Sequence, residues 1–332
     1  MKTFEKNDRP RRINTIKNAY GTLRGPVHLE ITTKIGCSNI CEYCPQTKLI
    51  KRYSNLRKNN SGGVPINKKD TYMSIDTFKK CISTVPSDVD IHFAGYTEPF
   101  DNPECADMML HASKMGHVLA CNTTLDGLNM HIIERIRHIP FKQFNIHLPS
   151  AEYYELIGAG KPLSVLETGQ HELSPEWINV LKYITTNPMP RQKFHCHGGL
   201  HPDLAETEDP IYDISLPDVP TIDLISRAGN LLKKYPERPL PPELNPRGKC
   251  NKIFQNVLLP DGSLALCCMD YGLDGILGNL LEQTWTEYQQ SNKYIDALVY
   301  GHDICDYCLA GVKTIDKKES WPEWRKETKK PS

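Results

Sequence analysis

Residues 37–45 read Cys-Ser-Asn-Ile-Cys-Glu-Tyr-Cys-Pro, which is a C-x3-C-x2-C motif. The motif follows residues 27–32, whose alternating apolar and polar side chains predict a β-strand. Three thiolates this close in sequence can bind one iron–sulfur cube and leave one iron open to a small molecule. Structural zinc normally has four ligands in paired spacings. The motif therefore favours an iron–sulfur cluster, with zinc or a chance spacing as the alternatives.

The composition excludes several classes of protein. The 332 residues include 40 Lys and Arg and 40 Asp and Glu, so the formal net charge is zero and there is no strong global field toward nucleic acid or membranes. No segment approaches the ~20 consecutive apolar residues of a membrane span. Residues 1–18 are charged and lack the apolar region of a secretory signal. We expect a globular cytoplasmic protein that binds no nucleic acid and no membrane.

After residue 74 the sequence alternates between two periodicities. It predicts helices over 75–85, 103–114, 130–137, 175–184 and 222–234, and strands over 89–94, 117–122, 143–148 and 192–197. Such alternation favours a parallel sheet with helical crossovers. We predict the α/β class, with a partial (β/α)6 TIM-like barrel over 27–235 that follows an N-terminal extension over 1–26. The chemistry of such barrels lies at the C-terminal ends of the strands.

A basic stretch follows the cysteine motif. Residues 46–74 contain seven Lys or Arg and one acidic residue, Asp70. We predict a solvated, mobile loop. The alternative is a lid over the site, which would suit an anionic substrate.

The C-terminal part of the chain contains a second group of cysteines. Twelve cysteines are many for a cytoplasmic chain, where they indicate metal binding or catalysis. After a proline-rich linker over 236–246, Asp261-Gly262 between two apolar runs predicts a hairpin with strands over 254–259 and 264–268. We predict a small hairpin and helix domain over 236–320 and a frayed tail over 321–332.

The cysteine motif after the first strand resembles that of the radical S-adenosylmethionine superfamily. The resemblance implies a [4Fe–4S] cluster on Cys37, Cys41 and Cys44, whose open iron binds S-adenosyl-L-methionine. Tyr43 takes the position that packs against the adenine. The segment Gly95-Tyr96-Thr97-Glu98 matches the family's Gly-Gly-Glu segment, with Thr97 in place of the second glycine and Glu98 as the partner of the methionine ammonium. Further cofactor contacts are expected from the following strand ends, at Asn122, Thr123, His147 and Ser150.

The tail resembles the twitch or SPASM extensions of these enzymes. The resemblance implies one auxiliary [4Fe–4S] cluster on Cys250, Cys268, Cys305 and Cys308, which makes two clusters in all. Cys267 and Cys268 are expected on opposite sides of a strand, so only one should be a ligand, and the spacing from Cys250 favours Cys268. A structural zinc is the alternative.

Two further candidates are weaker. His195 and His197 share one side of a predicted strand and should face the barrel mouth. A metal ion bound by these two histidines would need further ligands, and the sequence does not fix any nearby. Cys196 between them is either a hydrogen donor to a substrate radical or a buried core residue. Arg227, on the helix predicted over 222–234, is a candidate substrate contact or a solvated side chain.

The resemblance implies reductive cleavage of S-adenosylmethionine to a 5′-deoxyadenosyl radical, which abstracts a hydrogen atom from the substrate. Because the auxiliary cluster would have no open iron, we expect it to accept an electron in a two-electron oxidation of a small polar molecule such as a sugar or aminocyclitol. The 26 residues before the first strand are fewer than a peptide-recognition domain would need, which favours a small molecule. Alternatives are a radical epimerase, a peptide maturase or a zinc-stapled interaction protein. An external donor such as flavodoxin or ferredoxin would supply the electron.

Overall fold

The computed structural model describes residues 28–39, 44–60, 71–149, 173–196 and 251–308, together with residues 200, 204, 214, 216, 219 and 220. The helix predicted over 222–234 and the linker over 236–246 lie outside the described residues.

An eight-stranded sheet forms the centre of the fold. Its strands are β1 (His28–Ile31), β2 (Asp90–Phe93), β3 (Leu119–Thr123), β4 (Gln143–His147), β5 (Gln192–His195), β6 (Gln255–Leu258), β7 (Ser263–Ala265) and β8 (Ile276–Asn279). Their order is β5-β4-β3-β2-β1-β6-β7-β8, so the described part of the sheet is open, with β5 and β8 at its edges. All pairs from β5 to β6 are parallel, whereas β7 and β8 are antiparallel. The predicted α/β fold with a partial, unclosed barrel is confirmed.

The described residues form seven α-helices, which are α1 (Gln46–Asn60), α2 (Ile75–Ile82), α3 (Cys105–Lys114), α4 (Met130–Ile136), α5 (Pro175–Thr186), α6 (Trp285–Gln290) and α7 (Asn292–Tyr300). Four of these seven described helices, α2 to α5, lie where the sequence predicts helices. The Ser74 and Ser174 hydroxyls cap α2 and α5 by accepting hydrogen bonds from Thr77 N and Trp177 N. Of the described helices, none has the length and apolar character that crossing a membrane requires.

The first half of the basic stretch is a helix, α1, and the prediction of a mobile loop is wrong there. Leu49 and Tyr53, one helical turn apart, are both fully buried, and they pack in a cluster with Val257 and Tyr271. Burial of this apolar side, with Arg57 and Lys58 in the last turn, favours the helix over a solvated loop. Residues 61–70 lie outside the described residues.

The hairpin of the tail is confirmed. Gly262 has a φ of +82° in the turn, and Val257 and Leu258 of β6 pair with Ala265 and Leu264 of β7. The returning strand ends at Ala265, however, so Cys267 and the next cysteine lie in a turn beyond it. The expectation that these two cysteines point to opposite sides of a strand is therefore wrong.

The sixth parallel strand comes from the tail. β6 pairs with β1 in register from Gln255 opposite His28 to Leu258 opposite Ile31. It thus extends the sheet on the side of β1 that lies away from β2. The division into domains at residue 236 stays a prediction.

The two faces of the parallel strands differ in chemistry. One face carries the main core, to which Leu29, Phe93 and Phe144 contribute buried side chains, and it packs with residues of α2–α5. The residues that alternate with these along β1 to β5 are polar apart from Ala120. They include His28, Glu30, His92, Asn122, Asn145, His147, Lys193 and His195. A polar sheet face beside the C-terminal strand ends is suited to bind a polar ligand.

Candidate active site

The cysteine motif lies at the carboxyl end of β1. Cys37 follows the strand through a short loop in which Gly36 has a φ of +87°. Cys44 lies two residues before α1 begins. Both side chains are half-buried, whereas Cys41 and the predicted adenine contact Tyr43 lie outside the described residues.

Hydrogen-bond donors surround the two described sulfurs. The Glu98 backbone N–H donates to Cys37 Sγ at 3.3 Å. Cys44 Sγ accepts from Gln46 Nε2 at 3.3 Å and lies 3.3 Å from Tyr271 Oη. Donors around a sulfur stabilise it as a thiolate, which is the form that binds iron. The surroundings of Cys37 and Cys44 therefore fit the ligands of an iron–sulfur cluster.

Other cysteines belong to the core. Cys81, Cys105 and Cys121 are at most 1% exposed, and burial raises the pKa of the Cys105 and Cys121 thiols well above their ordinary value. Their complete burial distinguishes these three cysteines from Cys37 and Cys44, which are half-buried. Among the described residues, no group of three or more His, Cys, Asp and Glu side chains is arranged to hold a single metal ion. The ligands of a cube bind different irons and need not converge on one point.

Gly95 and Thr97 connect the ends of β1 and β2. Gly95 has a φ of +71°, and a Cβ there would lie 2.2 Å from Thr32 Oγ1. The Thr97 hydroxyl donates to the Lys34 carbonyl oxygen at 2.8 Å. Thr97 therefore ties the cysteine loop to the end of β2, and its role toward a cofactor stays a prediction.

Glu98 is buried at the end of β2 and holds this strand end to the end of β3. Its Oε1 accepts from Phe100 N at 3.1 Å and Thr123 Oγ1 at 2.8 Å. Its Oε2 accepts from Thr124 N at 2.6 Å and Thr124 Oγ1 at 2.8 Å. Burial raises the pKa of Glu98 to about 8, against the lowering effect of these hydrogen bonds. Glu98 is only 4% exposed, so its carboxyl group could contact a methionine ammonium only if the surrounding residues moved apart.

Two pairs of polar side chains lie on the polar face near the C-terminal strand ends. Asn145 Nδ2 donates to Asn122 Oδ1 at 2.8 Å, and the Asn122 side chain is exposed. One step further along the strands, His195 Nε2 and His147 Nδ1 are 3.2 Å apart. Burial lowers the pKa of His195, which keeps its imidazole neutral at neutral pH. This part of the face thus offers two carboxamides and two imidazoles, of which that of His195 is neutral.

A third polar group lies deeper, toward the start of the strands. The His28 and His92 rings stack with centroids 3.9 Å apart, and His28 Nε2 is 3.3 Å from Glu30 Oε1. Burial lowers the pKa of His92 to about 3, with a smaller contribution from His28. His92 Nε2 is buried without a hydrogen-bond partner among the described residues. An orphaned polar atom of this kind indicates an unfilled polar contact.

The tail brings three of its cysteines together. Cys267 is 8% exposed, and burial with the neighbouring Cys268 and Cys308 thiols raises its pKa well above the ordinary value. Cys268 and Cys305 are half-buried. Cys308 N donates to the Cys305 carbonyl oxygen at 3.2 Å, across a 3-10 turn. Cys268 is more exposed than Cys267, and its role as a ligand stays a prediction, while Cys250 lies outside the described residues.

The remaining candidates are placed in part. Cys196 is fully buried in the main hydrophobic core, which is the surroundings expected of a core residue. Its predicted role as a hydrogen donor remains untested. Ser150, His197 and Arg227 lie outside the described residues.

The sequence analysis missed several residues of the site. Tyr271 contacts Cys44 across 227 residues, which leaves no local signal. Gln46, which also contacts Cys44, is only two residues away and was interpreted as part of the basic stretch. Asn145 could have been found, because it precedes His147 by two positions on a predicted strand and so shares its face.

Comparison with known proteins gives similarity in structure only. No protein-family model matches the chain, and no curated protein matches its sequence. Among solved structures, BtrN in complex with AdoMet and 2-DOIA is 15% identical, covers 85% of this chain and 92% of its own, and has a TM-score of 0.49. Streptococcus suis SuiB bound to the precursor peptide SuiA is 11% identical over 91% of this chain and 75% of its own, with a TM-score of 0.49.

A third solved structure, native anSMEcpe with bound AdoMet, is 15% identical over 90% of this chain and 87% of its own, with a TM-score of 0.42. These values describe a likeness of overall fold. BtrN and anSMEcpe were each solved with AdoMet bound.

Proposed function

We propose that the chain is a radical S-adenosylmethionine enzyme whose first [4Fe–4S] cluster is held by Cys37, Cys41 and Cys44. The observation that carries the proposal is the position of the motif at the carboxyl end of β1, with the described sulfurs of Cys37 and Cys44 half-buried and beside hydrogen-bond donors. A zinc-stapled interaction protein would not need a polar sheet face beside its metal site.

The cluster and S-adenosylmethionine, when bound, supply a 5′-deoxyadenosyl radical that removes a hydrogen atom from the substrate. The residues of the chain bind and orient the substrate and exclude water. Asn122 and Asn145 present amide groups, and His147 and His195 present imidazoles, on one face. Such groups suit hydroxyl and amine groups of a small polar molecule. The neutral His195 is placed to accept the proton that such a molecule loses on oxidation.

The reaction that we propose is a two-electron oxidation of a sugar or aminocyclitol. An auxiliary cluster on Cys250, Cys268, Cys305 and Cys308 would then accept the second electron, and flavodoxin or ferredoxin would be the external donor. Epimerisation, with Cys196 or Cys267 as the thiol that returns hydrogen, is the second candidate. Peptide maturation is the third, since the similar structures include both a complex with 2-DOIA and one with a precursor peptide.

The first experiment tests the cofactor. Anaerobically purified protein should contain about eight iron and eight sulfide per chain if both cubes are present. It should also release 5′-deoxyadenosine from S-adenosylmethionine under reduction. Replacing Cys37, Cys41 and Cys44 by Ala should remove about four irons and abolish this release, whereas the core variant Cys121→Ala should keep both. Stoichiometric zinc without sulfide would refute the proposal.

The second experiment identifies the reaction. Sugars and amine-bearing polyols are incubated with the enzyme in heavy water, and the product mass is measured. A loss of two hydrogens supports oxidation. A product of unchanged composition with one solvent deuterium would show epimerisation instead.

A further inference from the structure

Tyr271 in the tail contacts the sulfur of a motif cysteine. Its Oη is 3.3 Å from Cys44 Sγ, although 227 residues separate the two in sequence. Tyr271 is 3% exposed, so the contact is shielded from water. The tail therefore brings a phenol hydroxyl to a sulfur that is expected to bind the first cluster.

The direction of this hydrogen bond depends on the state of the sulfur. A free thiol can donate to the phenol oxygen, but a thiolate bound to iron has no proton to donate. In this structure the Cys44 thiol donates to Tyr271 Oη. With iron bound the sulfur can only accept, so a hydrogen bond across this contact then requires the phenol to donate, as Gln46 Nε2 does to the same sulfur. Hydrogen bonds to the sulfurs are among the factors that set the reduction potential of an iron–sulfur cluster. They stabilise the reduced cluster more, because it carries more negative charge.

A second tyrosine holds the phenol in place. The Tyr96 ring packs edge-on against Tyr271, with centroids 4.8 Å apart. The Tyr96 hydroxyl donates toward the Cys267 carbonyl oxygen at 2.8 Å and the Asp270 carbonyl oxygen at 3.1 Å. The Tyr271 backbone N–H donates to the Met269 carbonyl oxygen at 3.0 Å. The turn that contains the tail cysteines thus determines where the phenol of Tyr271 lies.

We propose that Tyr271 donates a hydrogen bond to the Cys44 thiolate and raises the reduction potential of the first cluster, and that Tyr96 positions it. The inference rests on the proposed function. It means that a correctly folded tail makes the first cluster easier to reduce. Tyr271 acts through Cys44 and is therefore a positioning residue.

The test measures a midpoint potential. The holoenzyme and its Tyr271→Phe variant are titrated anaerobically. The signal of the first cluster, identified by its change when S-adenosylmethionine is added, is followed by electron paramagnetic resonance. We expect the variant cluster to be about tenfold harder to reduce, which for one electron is a potential about 59 mV lower. Tyr183→Phe is the matched control, because that hydroxyl bonds to exposed Glu134 on α4 and should not change the potential. Iron content and melting temperature are measured for each variant.

The outcomes separate the inference from the proposed function. If the wild type gives no iron–sulfur signal, the proposed function fails. If the signal is normal but the potential of Tyr271→Phe is unchanged or higher, only the inference is overturned. Should Tyr271→Phe assemble no cluster, Tyr96→Phe decides: a smaller shift of the same sign supports the inference, and an unchanged potential overturns it.

Discussion

The buried carboxyl group of Glu98 predicts an unusual dependence of stability on pH. Burial raises its pKa from the ordinary value of 4.5 to about 8 in the folded protein. Between these two values the folded state binds one more proton than the unfolded state does. The stabilisation is therefore complete below pH 4.5 and is lost as the pH rises through about 8. The loss is on the order of 5 kcal/mol, from about 1.4 kcal/mol for each pH unit.

The Glu98→Gln variant removes this titration. Each oxygen of the carboxyl group accepts a bond from a backbone N–H, one from Phe100 and one from Thr124. The carboxamide of glutamine must turn its NH2 group toward one of these two backbone N–H groups, so two donors face each other. A buried donor left without an acceptor costs roughly 1–3 kcal/mol. We expect the variant to be less stable than the wild type at about pH 5, and the difference to close or reverse by about pH 9.

The measurement is urea unfolding of the reduced protein followed by circular dichroism across this pH range. Asp270 is buried too, and its pKa is raised to about 7 in the same direction, so only the difference between variant and wild type isolates Glu98. Glu282→Gln, at an exposed site, is the control and should follow the wild type at every pH. A difference between Glu98→Gln and wild type that stays constant or widens with rising pH would refute the reasoning.

Two other predictions test the ends of the sheet. Gly95→Ala should lower the free energy of unfolding by more than Gly116→Ala. Both glycines have a positive φ, but a Cβ at residue 95 would lie 2.2 Å from Thr32 Oγ1, whereas the nearest atom to a Cβ at residue 116 is Ser87 Cβ at 3.8 Å. Equal losses in thermal or urea unfolding would contradict this steric argument. In the tail, Cys268→Ala should lose about four irons while Cys267→Ala keeps them, as iron analysis of anaerobically purified protein would show. The reverse result would make the buried Cys267 the ligand.

Local patterns were enough to predict the order of strands and helices. Alternating residues after position 27 predict β1, and Ser74 and Asp261-Gly262 predict a helix start and a turn, because these signals depend on neighbours in the chain. The C-x3-C-x2-C motif likewise predicts its chemistry from spacing alone. The prediction of a mobile loop in the basic stretch is wrong over α1, because the burial of Leu49 and Tyr53 under the tail is a tertiary effect.

Only the tertiary structure showed how distant segments meet. The pairing of β6 with β1 depends on an edge that β1 leaves open, and no residue near either strand specifies it. Three of the four hydrogen bonds to Glu98 come from Thr123 and Thr124, at the end of the neighbouring strand. The contact of Tyr271 with Cys44 crosses 227 residues. The sequence determined the elements and the cysteine motif, since their causes are local, whereas the surroundings of each functional group arise from packing.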